Sequence, residues 1–310
     1  MILTCGDALF DVFANPSSAT SSIALDARVG GSPLNVAVAL SRLGQPTGFL
    51  AKVSSDSFGR TLLAHLKSEN VDTDLIVRTS APTTLAIVAL DEKGVPAYSF
   101  YTNGTADRSL EVSELPRRLP DALRVVHIGS YTTALEPTAG SLEALVSRER
   151  GRRLISYDPN IRPSIVPDPE LWHRRVTALT TQAHMVKASA EDIEFLYPGA
   201  AIKDVLGDWI ARGLRLAVAT MGENGAMAVT QQGITARVSS PAVKVIDTVG
   251  AGDTFQAALL TWLAEHGRLS PEGLATLSAD ELNALLRFAA RAAAITCSRR
   301  GADMPRRSEV

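Results

Sequence analysis

Toward the C-terminal end of the 310-residue chain, Asp247-Thr248-Val249-Gly250-Ala251-Gly252-Asp253-Thr254-Phe255 runs directly into an apolar helical stretch, 256–263. Small residues at 250–252 let backbone amides converge where that helix begins. Unpaired N–H groups and the helix dipole both attract an anion at such a point. Asp253 then lies in the first turn, beside the anion. A carboxylate so placed can accept the proton of an attacking hydroxyl, which is general-base chemistry at a phosphate. A capping Asp in a Gly-rich turn is the alternative for a bare Gly-x-Gly-Asp; the longer string is far more specific.

The elements that must hold this segment alternate along the chain. Strand-like runs fall at 2–5, 49–53, 125–128, 154–157, 185–187 and 216–220. Helical patterns at 35–43, 58–70, 138–149, 169–180 and 201–212 lie between them. Alternation of this kind predicts a mostly parallel sheet with helices on both faces. Two segments depart from the rhythm. Residues 11–29 are rich in Ser, Ala and Thr without a helical period. Residues 83–101 alternate on either side of Asp91-Glu92-Lys93-Gly94, as a strand pair with a turn would. Together they predict a small β appendage on a single α/β domain spanning 1–310.

Composition narrows the function. Hydrophobic residues at 45% and charged residues at 21% are ordinary for a globular chain, which excludes a disordered one. A formal charge of −2 supplies no basic footprint for nucleic acid. No apolar run approaches the roughly 20 residues of a membrane helix, and the N-terminus lacks the basic and cleavage features of a signal peptide. A cytoplasmic protein is expected. Cys5 and Cys297 sit in apolar settings at opposite ends of the chain, as small core residues rather than a disulfide. A dinucleotide-binding fingerprint should follow the first strand, but Gly6-Asp7-Ala8-Leu9 stands there instead.

The segment 247–255 resembles the C-terminal signature of the ribokinase, or PfkB, carbohydrate kinases. Gly30-Gly31-Ser32-Pro33-Leu34-Asn35-Val36-Ala37, continuing to Ser41-Arg42-Leu43-Gly44, resembles their N-terminal signature. Asp158-Pro159-Asn160-Ile161-Arg162 and Thr220-Met221-Gly222-Glu223-Asn224-Gly225 fit between, so the likeness covers essentially the whole chain. It implies a ribokinase-like three-layer αβα sandwich, with a mostly parallel central sheet and a small β lid from about 11–30 and 83–108.

The same resemblance assigns roles. Asp253 would be the general base, and the amides of Gly250, Ala251 and Gly252 the anion hole. Asp11, five residues after Gly6, would take hydrogen bonds from sugar hydroxyls, with Gly31 and Asn35 as further sugar contacts. Arg162 would face phosphate or sugar, where a planar fork of donors suits anionic oxygens. Lys187, Ser189 and Asp192 would lie on the nucleotide side and near magnesium, although the family usually carries Asn-x-x-Glu at the last two positions. Thr220, Gly222 and Gly225 would sit beside the ATP phosphates. Ala290 stands where many members have an asparagine near adenine. Asp247 and Thr248 with the tail at Ser298 would hold a monovalent cation, so potassium stimulation is expected.

The Gly-Gly-Ser-Pro block looks most like the fructokinases, and Ser32-Pro33 replaces the Lys-Gly of ribokinases. Thr102 follows Phe100-Tyr101 where many fructokinases have Arg. The implied reaction is phosphorylation of D-fructose at the 6-hydroxyl by ATP with magnesium. A 2-keto-3-deoxygluconate or related keto-sugar kinase is the alternative, and a non-catalytic sugar sensor is the alternative of another class. The lid would close over sugar, exclude water, and bury its apolar face against a second subunit in a homodimer.

Overall fold

A computed structural model describes residues 1–15, 21–90 and 96–310. In chain order the first half runs β1 (Ile2–Cys5), β2 (Leu9–Asn15), β3 (Ala24–Gly30), α1 (Ser32–Arg42), β4 (Thr47–Leu50), β5 (Lys52–Ser54), α2 (Ser57–Ser68), β6 (Val77–Thr79), β7 (Thr84–Leu90), β8 (Pro96–Tyr101), β9 (Val125–Gly129) and α3 (Thr138–Glu149). The second half runs β10 (Leu154–Asp158), α4 (Pro169–Thr180), β11 (Met185–Ser189), α5 (Ala190–Leu196), α6 (Ile202–Ala211), β12 (Leu216–Thr220), β13 (Ala226–Thr230), β14 (Thr235–Val238), α7 (Ala251–Glu265), α8 (Pro271–Ala275) and α9 (Ala279–Cys297).

Eight strands form the large sheet in the order β14-β13-β12-β11-β10-β9-β1-β4. The six from β12 to β4 are parallel, and β13 and β14 add an antiparallel edge. Alternate residues of each central strand feed opposite cores. Ile2, Val125, Leu154, Met185 and Leu216 pack toward α1, α2, α7 and α9. Leu3, Val126, Ile155, Val186 and Ala217 pack toward α3, α4, α5 and α6. A strand covered on both faces must be apolar at every position, which is why these runs read as continuous rather than alternating. The predicted three-layer architecture is therefore present. Among the described residues no helix is long and apolar enough to cross a membrane. Both cysteines are free, with Cys5 buried.

The small sheet has the order β3-β2-β7-β8, and its first strand starts at Leu9, before the predicted boundary at 11. Register sets its inner face. Asp11 pairs with Ala86, and Ala86 pairs with Phe100, so one cross-sheet row points all three to one side. The opposite face carries Phe10 and Val12, which are buried, and Phe10 packs on the Phe58 ring of α2 at 5.0 Å. The expected turn at Asp91–Gly94 lies outside the described residues.

Two local expectations are corrected. The strand expected over 49–53 is two strands: the chain leaves the large sheet after Leu50, and Lys52–Ser54 pairs instead with β6. The first helix begins at Ser32, three residues earlier than the apolar period indicated, because Pro33 is pre-set for a helical first turn. The β13–β14 hairpin and α9 went unrecognised, although Ser278 with Glu281 forms a capping box that marks the start of α9.

Candidate active site

The large sheet ends its parallel strands beside the N-terminus of α7, and this junction collects most of the predicted residues. Gly250 precedes the helix with φ 77°, a left-handed conformation that glycine adopts without strain. A Cβ there would lie 2.8 Å from Ala302 Cβ, so the turn also needs the absence of a side chain. Ala251 N donates to Thr248 O at 3.2 Å. That amide therefore already has an acceptor within its own turn. Among the described residues the amides of Gly250, Gly252 and Asp253 have no acceptor, as the open end of a helix requires of an anion site.

Asp253 is 7% exposed and is fixed from the other end of the chain. Ser32 Oγ donates to its Oδ1 at 2.7 Å, and Asn35 Nδ2 donates to its Oδ2 at 2.8 Å. Ser32 and Asn35 are three residues apart and so share one face of α1. Asn35, expected on the sugar, lines the first cavity and gives one of its two amide N–H groups to Asp253. Ser32 was missed as a site residue, although the same i,i+3 spacing was readable.

Asp253 lines a cavity of about 500 Å³ whose walls also include Asp7, Asp11, Gly31, Arg162 and Lys187. Leu9, Phe13, Ala86 and Phe100 of the small sheet cover one side of it. Gly31 caps α1 with φ 106°, and a Cβ would come within 2.8 Å of the Asp7 carbonyl. Burial raises Asp11 to about 6, against the pull of the Arg162 guanidinium, with Asp253 adding repulsion. Asp7 is 1% exposed and is raised further, to about 7, by burial and by the charge of Asp107, with Arg162 again opposing. Arg162 itself is held by a bond from Nη1 to the Ile161 carbonyl at 3.0 Å.

A second cavity of about 730 Å³ adjoins the first. Thr220, Gly222 and Gly225 line it with Ala290, Val243 and Phe255, and it shares Ser189, Thr220, Thr248 and Gly252 with the first. Of the predicted nucleotide residues, Gly222 and Gly225 face the second space, Ser189 and Thr220 face both, and Lys187 and Asp192 face the first together with the predicted acceptor residues; the two spaces meet at the α7 N-terminus. Cys297 borders the second space, and its backbone carbonyl accepts from Ile246 N at 2.8 Å and Asp247 N at 3.3 Å.

A buried ion pair lies against the first cavity, beside the Gly252 that both cavities share. Lys187 Nζ sits 2.6 Å from Asp158 Oδ2 and 3.4 Å from the Gly252 carbonyl. Burial raises Asp158 to about 6, with Lys187 opposing and Asp192 and Asp253 adding repulsion. The surrounding carboxylates raise Lys187 despite its burial, keeping it a cation. Asp158 appeared in the sequence only as part of a motif; its pairing with Lys187 is long-range and had no local signal.

Ser189 and Asp192 both line the first cavity and also serve the local fold. Together they form the capping box of α5, and Asp192 Oδ1 also accepts from Ile161 N at 2.7 Å, anchoring the loop that carries Arg162. Asp247 joins the loop before α7 to the C-terminal tail: Oδ1 accepts from Val249 N at 3.1 Å and Oδ2 from Gly301 N at 2.8 Å. Ser298 turns its hydroxyl back to the Ile295 carbonyl at 2.7 Å, away from Asp247. Among the described residues no three His, Cys, Asp or Glu side chains cluster as metal ligands.

Comparison with known proteins gives a consistent result. A family model described as pfkB family carbohydrate kinase matches residues 1–308. A fructokinase of Rhizobium leguminosarum bv. trifolii is 36% identical over 282 residues, covering 91% of this chain and 85% of that protein. Among solved structures, a fructokinase from Xylella fastidiosa with bound ATP superposes with a TM-score of 0.90 at 31% identity, covering 99% of this chain and 96% of that one. A Vibrio cholerae O395 fructokinase in fructose-, ADP- and calcium-bound form gives a TM-score of 0.81 at 27% identity, over 97% and 94% of the two chains.

Proposed function

The chain belongs to the pfkB family of carbohydrate kinases, and from that premise we propose that it transfers the γ-phosphoryl group of ATP to the 6-hydroxyl of D-fructose. The observation that carries this proposal is the position of Asp253. It lies beside the amides of the α7 N-terminus, at the meeting of two cavities, and is oriented by Ser32 and Asn35. With the sugar in the first cavity, Asp253 takes the proton of the attacking hydroxyl. The free amides of Gly250 and Gly252 meet the charge on the transferring group, where aimed dipoles cost no reorganisation. Lys187 adds fixed positive charge at the same point.

Asp11 and Gly31 line the sugar side, and Thr220, Gly222 and Gly225 the nucleotide side. Magnesium needs only one or two carboxylates beside phosphate oxygens. Asp192 fits that need: it borders the first cavity, and each of its oxygens has accepted one N–H and keeps a lone pair. When bound, the ion would offset phosphate charge. Asp247 and Thr248, with the tail carbonyls, offer the oxygen donors a potassium ion takes. The small sheet acts as a lid, since Leu9, Ala86 and Phe100 already roof the sugar cavity. Leu25 and Tyr101 are exposed on its outer side, at 56% and 60%, and support a homodimer through that face. ATP use fits the expected cytoplasmic location.

Arg162 favours one second reading. A guanidinium at the first cavity suits an acceptor with its own carboxylate, such as 2-keto-3-deoxygluconate. The test is ADP release with ATP and magnesium against fructose, 2-keto-3-deoxygluconate, ribose, glucose and inosine, with Asp253→Ala as control. Turnover on fructose that vanishes in the variant is expected. Faster turnover on the keto-acid sugar moves the specificity; silence on every sugar refutes catalysis in favour of a sugar sensor.

A further inference from the structure

One buried carboxylate near the sugar cavity has no part in the chemistry above. Asp107 is 2% exposed and lies in the short turn after β8 (Ala106–Arg108). No cation is paired with it among the described residues; its partners are hydroxyls. Thr84, the first residue of β7, donates to Asp107 Oδ1 at 2.6 Å. Thr105 places its hydroxyl 3.0 Å from the same oxygen and 2.8 Å from the Thr102 carbonyl. Tyr131, in the turn after β9, donates to Oδ2. Thr138 of α3 donates to the Asp107 carbonyl at 2.9 Å. The two roots of the small sheet, at Thr84 and at Thr102–Thr105, are thereby joined to each other and to the body through one side chain, while Asp56 at the start of α2 holds the β7 root separately, accepting from Thr83 N at 2.9 Å and Thr83 Oγ1 at 2.8 Å.

The far end of this network faces the cavity. Tyr131 is 1% exposed and lines its wall, next to Asp7. The row Asp11–Ala86–Phe100 rises from the same roots, because Thr84 and Ala86 are two residues apart on β7. Any slip of β7 against Tyr131 would move Asp11 and Phe100 relative to the floor made by Asp7.

We propose that Asp107 is a positioning residue for the phosphoryl acceptor, clasping both roots of the small sheet to Tyr131 and so setting the distance between the cavity's roof and its floor. This rests on the placement of the acceptor in the first cavity. Asp107 touches neither substrate; it acts through Thr84, Thr105 and Tyr131. Its charge also reaches Asp7, in the loop between β1 and β2, and Tyr131, in the turn after β9, while Arg162 from the loop after β10 acts on Asp7 with the opposite sign.

Thr84→Val, Tyr131→Phe, Asp107→Asn and Asp107→Ala test this, with Asp11→Asn as reference, using the panel sugar turned over fastest. Losing one buried partner in the clasp should raise the KM for sugar about tenfold, leave the KM for ATP within about twofold, and raise ATP hydrolysis per sugar phosphorylated. Asp107→Asn keeps an oxygen for Thr84 and should recover most of the loss seen in Asp107→Ala. Because it removes the charge facing Asp7, it should also move the near-neutral limb of the sugar kcat/KM profile to lower pH. Equal rises in both KM values, or a fall in melting temperature with kinetics unchanged, would overturn the clasp. If Asp11→Asn raises the sugar KM while Thr84→Val and Tyr131→Phe do not, the clasp alone falls. If Asp11→Asn also leaves it unchanged, the acceptor lies elsewhere and both proposals fall.

Discussion

Replacing Lys187 with Met keeps most of the apolar stem and removes the only cation paired with Asp158 among the described residues. Asp158 is fully buried, and with Lys187 present its carboxyl titrates at about 6. In the variant, burial and the charges of Asp192 and Asp253 act unopposed, so the group stays protonated past pH 7. A carboxyl raised above its unfolded value stabilises the fold at low pH, and that contribution is lost as pH rises through the folded value. The wild-type group is ionised at pH 7 and benefits from the ion pair; the variant cannot. The gap from pH 6 to pH 7 is one unit, so Lys187→Met should cost about 1 kcal/mol more at pH 7 than at pH 5. At pH 5 both carboxyls are protonated and this part of the penalty is gone. Urea denaturation of both proteins at the two pH values measures it. In an Asp158→Asn background the pH dependence of the Lys187→Met penalty should vanish. A penalty equal at both pH values, or larger at pH 5, would refute the coupling.

Asp253→Asn should lower kcat by ~10²–10⁴, the loss of a general base, with the KM for ATP nearly unchanged, as steady-state kinetics would read. Gly250→Ala forces a non-glycine residue into the left-handed region and against Ala302; a loss of roughly 1–2 kcal/mol of stability is expected in denaturant titration, with reduced turnover. His127 and His184 are held neutral by burial, at about 3 and about 4, and His184 Nδ1 accepts from Ile155 N at 2.9 Å. A depressed histidine gives its full stability above the unfolded value and loses it as pH falls toward the folded one. Replacing His127 with Gln should therefore make stability fall less between pH 6.5 and 5, by about 1–2 kcal/mol relative to the parent, in urea titrations at the two pH values.

Legibility in the sequence followed the range of the interaction. The parallel core strands were plain because covering on both faces demands unbroken apolar runs, and helices such as 138–149 and 169–180 were plain from their period. The break at Ala51 was hidden because an apolar run looks the same whether one sheet or two receives it. At the site, the α7 entry announced itself through glycine spacing, since backbone conformation is a local property. What that entry needed from elsewhere was not local. Ser32 and Asn35 lie 221 and 218 residues from Asp253, and Lys187 reaches Asp158 from a neighbouring strand. Ser189 and Asp192 drew a nucleotide-side role from the family resemblance, and only their three-residue spacing before a helix signals the cap they form.

The distribution of ties around α7 explains why one chain segment can serve two cavities. Its leading loop is held to the tail by Asp247, its first turn to α1 by Asp253, and its Gly252 carbonyl to β11 by Lys187. Each tie comes from a different part of the chain, so no single loop motion can displace the helix entry while the large sheet stays packed. The small sheet is held differently. Its inner row reaches the same cavity, yet its roots are tied mainly through threonine and tyrosine hydroxyls to two carboxylates, Asp107 and Asp56. Rigid dipoles are what a developing charge requires, and a cover that must admit and release a sugar requires the opposite. On the proposed function, the fold supplies both by anchoring the phosphate end through charge and the sugar end largely through exchangeable hydroxyl contacts. Substitutions at Lys187 and at Thr84 should accordingly separate in kinetics, the first lowering kcat and the second raising the KM for sugar.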